Sequence, residues 1–510
     1  YIFGFRADVK DNVHYAEDGS VVYPAGHNVV LYSPDTRTQR LIPGTLESEG
    51  ITALCVSSNK KLLAVAERSD KAMISVYDMQ TLKRRKVLVS SDAGSKEYVS
   101  LSFSGDGKML IGQGGAPEYN LVLWLWEKSK VASVVKTTNQ QGAPMYSCDF
   151  SHGDSSLVGV IGQGIFKMFR NADSGLKQAN PIIGKRDPSL ASCQVGCQRE
   201  RLLLGMADGE VLLLEVGCMC FPTPPHPTSP PPNSHLPITT RNPEPPISQP
   251  PPPPAIPRYP QSSPLQGTDL KAAFSCDNGL PACSIAVYSK GFVVGQDQGV
   301  VTIFERDDKE FYRRARAFTI EGNPCKVLNL AISPNEEHLV ASLDNNQAYT
   351  LMLSNQEIMK HDEMNFEILG TPNHAGPVTG LDVCVRKALI ASCCSTDRSV
   401  RLWNWVDRTC ELHRTFADEI FSIAIHPTGL MILVGFADKL RLMSVLMEDL
   451  KTIKELGIKG CRECCFSTGG QYFAAVNGTT ISIYNTYTCD NVGNLRGHNG
   501  KVRCRVGSSH

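Results

Sequence analysis

A repeated unit of about 45 residues constrains the fold of this chain more than any other feature of its sequence. Each copy has an alternating apolar run, a polar turn, a second apolar run with small residues, another turn and a third strand-like run. The clearest copy starts at Val378 and continues through Ala388-Leu-Ile-Ala-Ser392 to Ser399-Val-Arg-Leu-Trp-Asn404. Alternation with a period of two residues dominates, and helical spacing is scarce. The sequence therefore predicts an all-β protein.

The number of copies predicts two β-propellers. About ten copies start near residues 12, 51, 99, 145, 191, 282, 327, 378, 420 and 461. Their length matches the blades of WD-repeat propellers, in which about four to eight four-stranded blades close a ring. We therefore expect tandem WD-repeat propellers: a closed, seven-bladed ring over residues 1–365 and an incomplete second ring over residues 366–510. We also expect residues 1–5 to form a strand that pairs with a late blade of the first ring.

One segment departs from the repeat because it is rich in proline. Nineteen of the 32 prolines lie between Pro222 and Pro264. Proline fixes φ and lacks an N–H, so this stretch can form neither a helix nor a central strand. We predict a disordered insertion over residues 220–275. A candidate ligand for domains that bind polyproline II helices lies within it, formed by Phe221, Pro222, Pro224 and Pro225. The alternative is an insertion without a binding role.

The copy that contains Trp403 carries the strongest motif. His374 precedes its first strand, Ser392 lies on the second strand, Asp397 in the next turn and Trp403 on the third strand. These residue types form a hydrogen-bonded tetrad in WD-type blades, where the buried indole N–H and imidazole need partners. A Ser/His/Asp set is also typical of hydrolases, but no Gly-x-Ser-x-Gly elbow surrounds Ser392. We predict a structural tetrad rather than a catalytic triad.

Weaker copies keep an aspartate in the corresponding turn, while Leu, Ile, Tyr or Met replaces the tryptophan. We expect these aspartates to cap the turn through local backbone N–H groups. They are Asp208, Asp297, Asp344 and Asp438.

The cysteines and one basic run each allow two interpretations. Cys461-x-x-Cys464-Cys465 and Cys193-x3-Cys197 could bind zinc, but each lacks a second pair at the spacing of zinc fingers. We expect buried, reduced thiols and no metal. The basic run of residues 83–86 is either a solvated edge or a contact for an acidic partner.

Composition narrows the possible functions. The 51 Lys and Arg residues balance 51 Asp and Glu residues. This zero net charge argues against binding to nucleic acid or to an anionic membrane, both of which recruit a basic excess. Neither a Gly-rich phosphate loop nor an HExxH motif occurs in the sequence. We therefore predict that the protein is not an enzyme and takes no cofactor or small-molecule substrate.

Several segments of the sequence resemble the cilia- and flagella-associated protein 57 family, also called WD repeat-containing protein 65. They include Phe3-Gly-Phe-Arg6, Asn120-Leu-Val-Leu-Trp-Leu-Trp-Glu-Lys128, Thr396-Asp-Arg-Ser-Val-Arg-Leu-Trp-Asn404 and Val434-Gly-Phe-Ala-Asp-Lys-Leu-Arg-Leu-Met443. The resemblance covers nearly the whole chain outside residues 220–275 and corresponds to the N-terminal WD-repeat region of the family. It implies a non-enzymatic scaffold of the motile cilium, associated with inner dynein arm assembly on axonemal doublets.

The resemblance implies partners and a location as well. The partners would be axonemal proteins, either inner dynein arm or doublet components, and the location would be the cytoskeleton of the ciliary axoneme within the cytoplasm. Two alternatives stay open. One is a generic cytosolic WD-repeat adaptor, such as a substrate receptor or trafficking scaffold. The other is a propeller enzyme, which would need titratable residues that converge at the central channel.

Overall fold

A computed structural model of the chain describes thirteen ranges of residues. They are 1–138, 143–151, 154–172, 175–179, 181–182, 186–187, 190–197, 201–216, 268–276, 278–307, 312–320, 325–353 and 365–502. The polyproline candidates Phe221, Pro222, Pro224 and Pro225 lie outside these ranges. The described residues form β-strands and short 3₁₀ turns, and no helix among them is long and apolar enough to cross a membrane.

The strands form ten consecutive sheets, which we call blades 1–10 in chain order. The strands of blades 1–3 are β1 His14–Tyr15, β2 Val21–Ala25, β3 Asn28–Ser33, β4 Thr38–Pro43; β5 Gly50–Val56, β6 Leu62–Arg68, β7 Met73–Asp78, β8 Arg84–Val89; β9 Tyr98–Phe103, β10 Leu110–Gly114, β11 Asn120–Leu125 and β12 Lys130–Lys136. Within each of these sheets, neighbouring strands are antiparallel and follow one another along the chain.

Blades 4–7 follow the same plan. Their strands are β13 Met145–Phe150, β14 Leu157–Gly162, β15 Ile165–Ala172, β16 Gly175–Ala179; β17 Pro181–Ile182, β18 Ala191–Cys197, β19 Arg201–Met206, β20 Glu210–Val216, β21 Thr268–Ser275; β22 Ala282–Tyr288, β23 Gly291–Gln296, β24 Val300–Arg306, β25 Tyr312–Thr319; β26 Val327–Ile332, β27 His338–Leu343, β28 Ala348–Met352 and β29 Glu367–Ile368. Blade 5 has a fifth strand, because the short β17 pairs in parallel with β21.

Three more blades complete the described fold. Their strands are β30 Val378–Val383, β31 Leu389–Cys394, β32 Ser399–Asn404, β33 Thr409–Thr415; β34 Ile420–Ile425, β35 Met431–Phe436, β36 Leu440–Val445, β37 Leu450–Leu456; β38 Cys464–Phe466, β39 Tyr472–Asn477, β40 Thr480–Asn485 and β41 Asn491–Leu495. Nine of the ten sheets begin within about three residues of a predicted copy; blade 5 begins earlier with the short β17, and its strand β18 begins at the predicted residue 191. The all-β propeller prediction is confirmed.

Burial along the strands explains why the sequence alternates in some places and is uniformly apolar in others. Every residue of β14 is buried, because the second strand of a blade has neighbouring blades on both faces. The outermost strand β12 instead alternates between exposed and partly buried residues. Stacked blades of the first ring therefore form a continuous core, and their outermost strands meet solvent.

A recurring turn joins the first and second strands of several blades. Ser57, Ser104 and Ser333 each donate a hydroxyl hydrogen bond of 2.6–2.7 Å to the side chain of the Asn or Asp two residues later. The carbonyl of each serine accepts the N–H of the residue that follows this Asx. That residue has a positive φ, which Gly107 adopts without steric cost. The serine and Asx side chains thus fix the hairpin that starts each of these blades.

Seven blades close the first ring. First strands of all seven surround one central cavity of about 260 Å³. Blade 7 packs on blade 1, where Asn329 Nδ2 donates to the Val13 carbonyl at 3.1 Å and Ser342 Oγ donates to Asn12 Oδ1 at 2.7 Å. The expected strand over residues 1–5 is wrong, since these residues pair with no blade as a strand. Each sheet is completed by its own consecutive strands, so the closure needs no strand from the start of the chain.

Two predicted boundaries differ from the structure. The insertion does not extend to residue 275, because β21 supplies the outer antiparallel strand of blade 5 beside β20. The prolines end at Pro264, and Leu270, Ala272 and Phe274 then alternate with exposed residues and pack into neighbouring clusters. The seventh sheet also ends slightly beyond residue 365, at β29.

Candidate functional site

The four residues of the predicted tetrad lie in one buried network in blade 8. His374 Nε2 lies 2.8 Å from Ser392 Oγ, and the Trp403 indole N–H donates to the same oxygen at 2.7 Å. On the other side of the ring, His374 Nδ1 lies 3.2 Å from Asp397 Oδ2 and 3.0 Å from Ser399 Oγ. The network therefore joins the segment before the first strand of the blade to its second and third strands.

The carboxylate of Asp397 is held in its charged form. Burial alone would raise the pKa of Asp397, but hydrogen bonds from His374, the Ala375 N–H and Ser399 outweigh it and keep the pKa well below the ordinary range. Both oxygens accept bonds: Oδ2 from the Ala375 N–H at 3.0 Å, and Oδ1 from the Ser399 N–H and hydroxyl at 3.0 and 2.8 Å. Asp397 thus fixes both the imidazole and the turn that precedes β32.

The order Ser392–His374–Asp397 is that of a hydrolytic triad, but its surroundings suit a structural role. Ser392 is 3% exposed and His374 is 7% exposed. The Ser392 oxygen also accepts the Trp403 N–H, which occupies a lone pair of the would-be nucleophile. A catalytic serine needs access to substrate and a vacant position for the oxyanion. The arrangement can fasten three strands together, and it offers no path to a reacting carbonyl.

The same place contains a group of candidate metal ligands. Donor atoms of His374, Cys394 and Asp397 all lie within 4.8 Å of one another. The imidazole and the carboxylate, however, are already bonded to each other and to Ser399. Structural zinc sites use four ligands in a tetrahedron. The donor set therefore fits a hydrogen-bonded network better than a metal centre.

Arg401 is a buried residue of this site that sequence reasoning missed. Its side chain is 4% exposed, and its guanidinium donates to the carbonyls of Pro372 and Asn373 at 3.1 and 2.8 Å. Asn373 in turn donates its N–H to Gln347 Oε1 at 3.0 Å in blade 7. Arg401 thus ties blade 8 to the end of the first ring. The sequence could have indicated this role, because Arg401 lies within the apolar run of β32 and a buried charged residue rarely lacks partners.

The predicted turn aspartates have different partners. Asp208, Asp297 and Asp344 each accept one backbone N–H, from Glu210, Gln298 and Lys326 respectively, at 2.8–3.1 Å. Asp438 is half exposed, and its carboxylate lies 3.5 Å from the ammonium of Lys439. Local capping by these side chains stays a prediction, which the contacts of Asp208 and Asp297 support; the partner of Asp344 lies 18 positions away, before the first strand of blade 7.

One of the two predicted cysteine pairs lies in the core between two blades, and a carboxylate at the central cavity joins three other blades. Cys461 and Cys464 form no disulfide with a described cysteine, and both are buried between blades 9 and 10. In the first ring, Asp149 accepts the Ser102 hydroxyl at 2.6 Å and the Gly196 N–H at 3.1 Å. These bonds link blades 3, 4 and 5. The carboxylate at the cavity wall is therefore used in joining blades.

Comparison with known proteins agrees with this geometry. The model named "WD domain, G-beta repeat" matches residues 366–404, which include the whole tetrad. Cilia- and flagella-associated protein 57 of Mus musculus is 36% identical over 99% of this chain and 41% of its own length. The predicted resemblance is confirmed. Cilia- and flagella-associated protein 57 A of Tetrahymena thermophila is 28% identical over 99% of this chain and 40% of its own length.

More distant similarity points the same way. Cilia- and flagella-associated protein 44 of Mus musculus is 25% identical over 42% of this chain and 11% of its own length. The chain spans about two fifths of the length of the first relatives that it matches, at 41% and 40%. The chain is thus similar to part of several longer cilia- and flagella-associated proteins.

Proposed function

We propose that this chain is a non-enzymatic scaffold for protein–protein interaction in the axoneme of motile cilia. The observation that carries the proposal is similarity along 99% of the chain to a cilia- and flagella-associated protein. Propeller blades present loops and rims to partners while their cores hold the ring rigid. The buried network of blade 8 supports a scaffold, because its Ser, His and Asp side chains are engaged with one another rather than open to a substrate.

Tagged protein in ciliated cells tests this proposal. We expect the protein to stay with axonemes after the membrane is extracted with detergent, because a scaffold is held by its protein contacts. A purely soluble pool would contradict the proposal and favour a generic cytosolic adaptor. Hydrolase activity that is lost in His374→Ala while the fold is kept would favour the enzyme alternative.

We further propose that its axonemal partners belong to the inner dynein arms or to the doublets on which they assemble. The family resemblance supports this assignment. Mass spectrometry of axonemes after chemical cross-linking should find cross-links between this chain and inner-arm or doublet subunits. Cross-links that lead only to outer-arm or central-pair subunits would contradict it.

A further inference from the structure

The outermost strand of blade 2 carries an unusual concentration of basic residues. Residues 83–86 are Lys-Arg-Arg-Lys, and all four side chains are exposed at the start of β8. Arg85 pairs with Asp78, whereas Lys83 and Lys86 have no anionic partner among the described residues. Because the whole chain has zero net charge, this uncompensated charge is local.

Blade 3 extends the basic surface. The turn Trp126–Lys128 lies beside β8, and Leu88 of β8 belongs to the same hydrophobic cluster as Trp126. Lys86, two residues before Leu88, lies on the same side of the strand and so faces this turn. Lys128 and Lys130 are exposed there. We call the surface formed by Lys83, Arg84, Lys86, Lys128 and Lys130 the basic rim.

The basic rim also has backbone groups with which a partner can pair. Within residues 1–138, all of which the structure describes, β8 pairs with β7 along one edge only. No described strand pairs with the other edge, so its N–H and C=O groups are available to a partner. Val87 and Val89 on this strand are 37% and 48% exposed and can contact alternate side chains of an added strand.

We propose that the basic rim binds an extended acidic segment of a partner protein, which adds as a further strand to β8. Main-chain hydrogen bonds hold the segment along the edge, and Lys83, Lys86, Lys128 and Lys130 neutralise its carboxylates. The inference rests on the proposed scaffold function and assigns one of its binding surfaces. A peptide suits the rim better than nucleic acid, because Glu127 lies exposed within it and neither Tyr nor Trp is exposed on β8 for base stacking.

Fluorescence anisotropy of the full chain with a labelled ten-residue peptide of alternating Glu and Thr tests the inference. We expect Lys83→Glu combined with Lys86→Glu to weaken binding about ten-fold or more, with a smaller dependence on salt. The matched control is Lys451→Glu combined with Lys454→Glu, on the exposed outer strand β37 of blade 9. It should change the affinity less than about two-fold. Lys83→Gln combined with Lys86→Gln removes the two charges without reversing them. We expect an intermediate loss of affinity, which a folding defect of the Glu variant would not explain.

Two altered probes separate strand addition from simple charge attraction. The same peptide with N-methyl groups on every residue should bind weakly, because neither of its edges can then donate backbone hydrogen bonds to β8. A Gln-Thr peptide should also bind weakly. Equal loss in the blade 9 control, equal affinity of the N-methylated peptide, or tighter binding of a twenty-nucleotide RNA would each overturn the inference. This assay needs no cilium. If the peptide does not bind but the tagged protein stays with extracted axonemes, the proposed binding to the basic rim is wrong and the scaffold proposal is unaffected.

Discussion

Among individual residues, the tetrad was predictable because its spacing brings side chains from consecutive strands together. His374, Ser392, Asp397 and Trp403 meet as that spacing requires. Ser399 and Arg401 were not predicted, although both lie in the same short motif. Their roles depend on which side of β32 each side chain faces and on the path of residues 372–373, and the sequence of one blade does not determine that path.

Loss of a tetrad side chain should destabilise the blades after residue 366. His374→Ala leaves the partly buried Asp397 and the buried Ser392 without their shared partner, so we expect a loss of about 3 kcal/mol in the free energy of unfolding. Trp403→Phe removes one N–H donor and should cost about 1 kcal/mol. Urea unfolding of the chain measures both. Trp405→Phe is the matched control, since Trp405 is 55% exposed, and an equal effect there would contradict the prediction.

His14 should make the first ring sensitive to acid. Burial lowers the pKa of His14 to about 4, and its Nε2 has no hydrogen-bond partner among the described residues. The unfolded chain therefore binds more protons than the folded chain between the ordinary pKa of about 6.5 and about 4. Stability is full above about pH 6.5 and falls as the pH is lowered toward 4, by up to about 3 kcal/mol.

Unfolding in urea at several pH values checks this slope. His14→Gln should flatten it between about pH 6.5 and 4, whereas the exposed His498→Gln should keep it. A wild-type chain whose stability does not change over this interval would show that His14 is not held neutral.

Among elements, the strand pattern was predictable wherever alternation ran without interruption, and it failed next to the proline segment. Proline content led us to extend the insertion through residue 275, although the alternation of Leu270, Ala272 and Phe274 marks a strand. The strand expected over residues 1–5 failed for another reason. We inferred it from the need to complete a sheet, but blades 1 and 7 each form a sheet from their own strands and join through packing and hydrogen bonds.

Strand β21 should be necessary for the stability of the first ring. The ring of Phe274 lies 5.7–6.1 Å from those of Phe292, Phe304 and Tyr312, measured between centroids. Phe274→Ala removes these contacts, and we expect a loss of about 2 kcal/mol because the side chain is only partly buried. Thermal unfolding followed by circular dichroism measures it. Ala273→Ser, on the exposed face of the same strand, should have almost no effect, and a comparable loss there would refute the assignment.

In the whole molecule, the start of the chain joins the first ring to blade 8. The ring of Phe3 lies 4.7 Å from that of Trp403, and the Arg408 guanidinium lies 5.7 Å from the ring of Tyr1. Ile2 exchanges hydrogen bonds with Gln39 of blade 1, at 2.7 and 3.0 Å. The contacts of Phe3 and Tyr1 connect residues about 400 positions apart, and no local pattern in the sequence indicates them.

We propose that residues 1–365, with the short strand that follows them, unfold separately from the blades after residue 366. The first ring is closed, whereas Leu381, Val383 and Val385 at the start of blade 8 are 52–75% exposed. The stability of repeat arrays is roughly a sum of unit and interface terms, so blades without a neighbour on one face should be the weaker part of this chain. Limited proteolysis should therefore leave a resistant core that ends near residue 365, apart from cuts in the proline segment.

Phe3→Ala should speed cleavage in the segment that links the two parts. Phe3 packs on Trp403, and the start of the chain lines one small cavity together with Leu369, Gly370 and Thr371. Without the Phe3 ring, the start of the chain loses its contact with Trp403 of blade 8, so we expect the linking segment beside it to open more often and a protease to cut it sooner. Mass spectrometry of the fragments over time measures the rate, with the exposed Tyr487→Ala as control. A first cut within residues 280–360, with 380–500 protected, would show that the closed ring is the weaker part and that the proposed division is wrong.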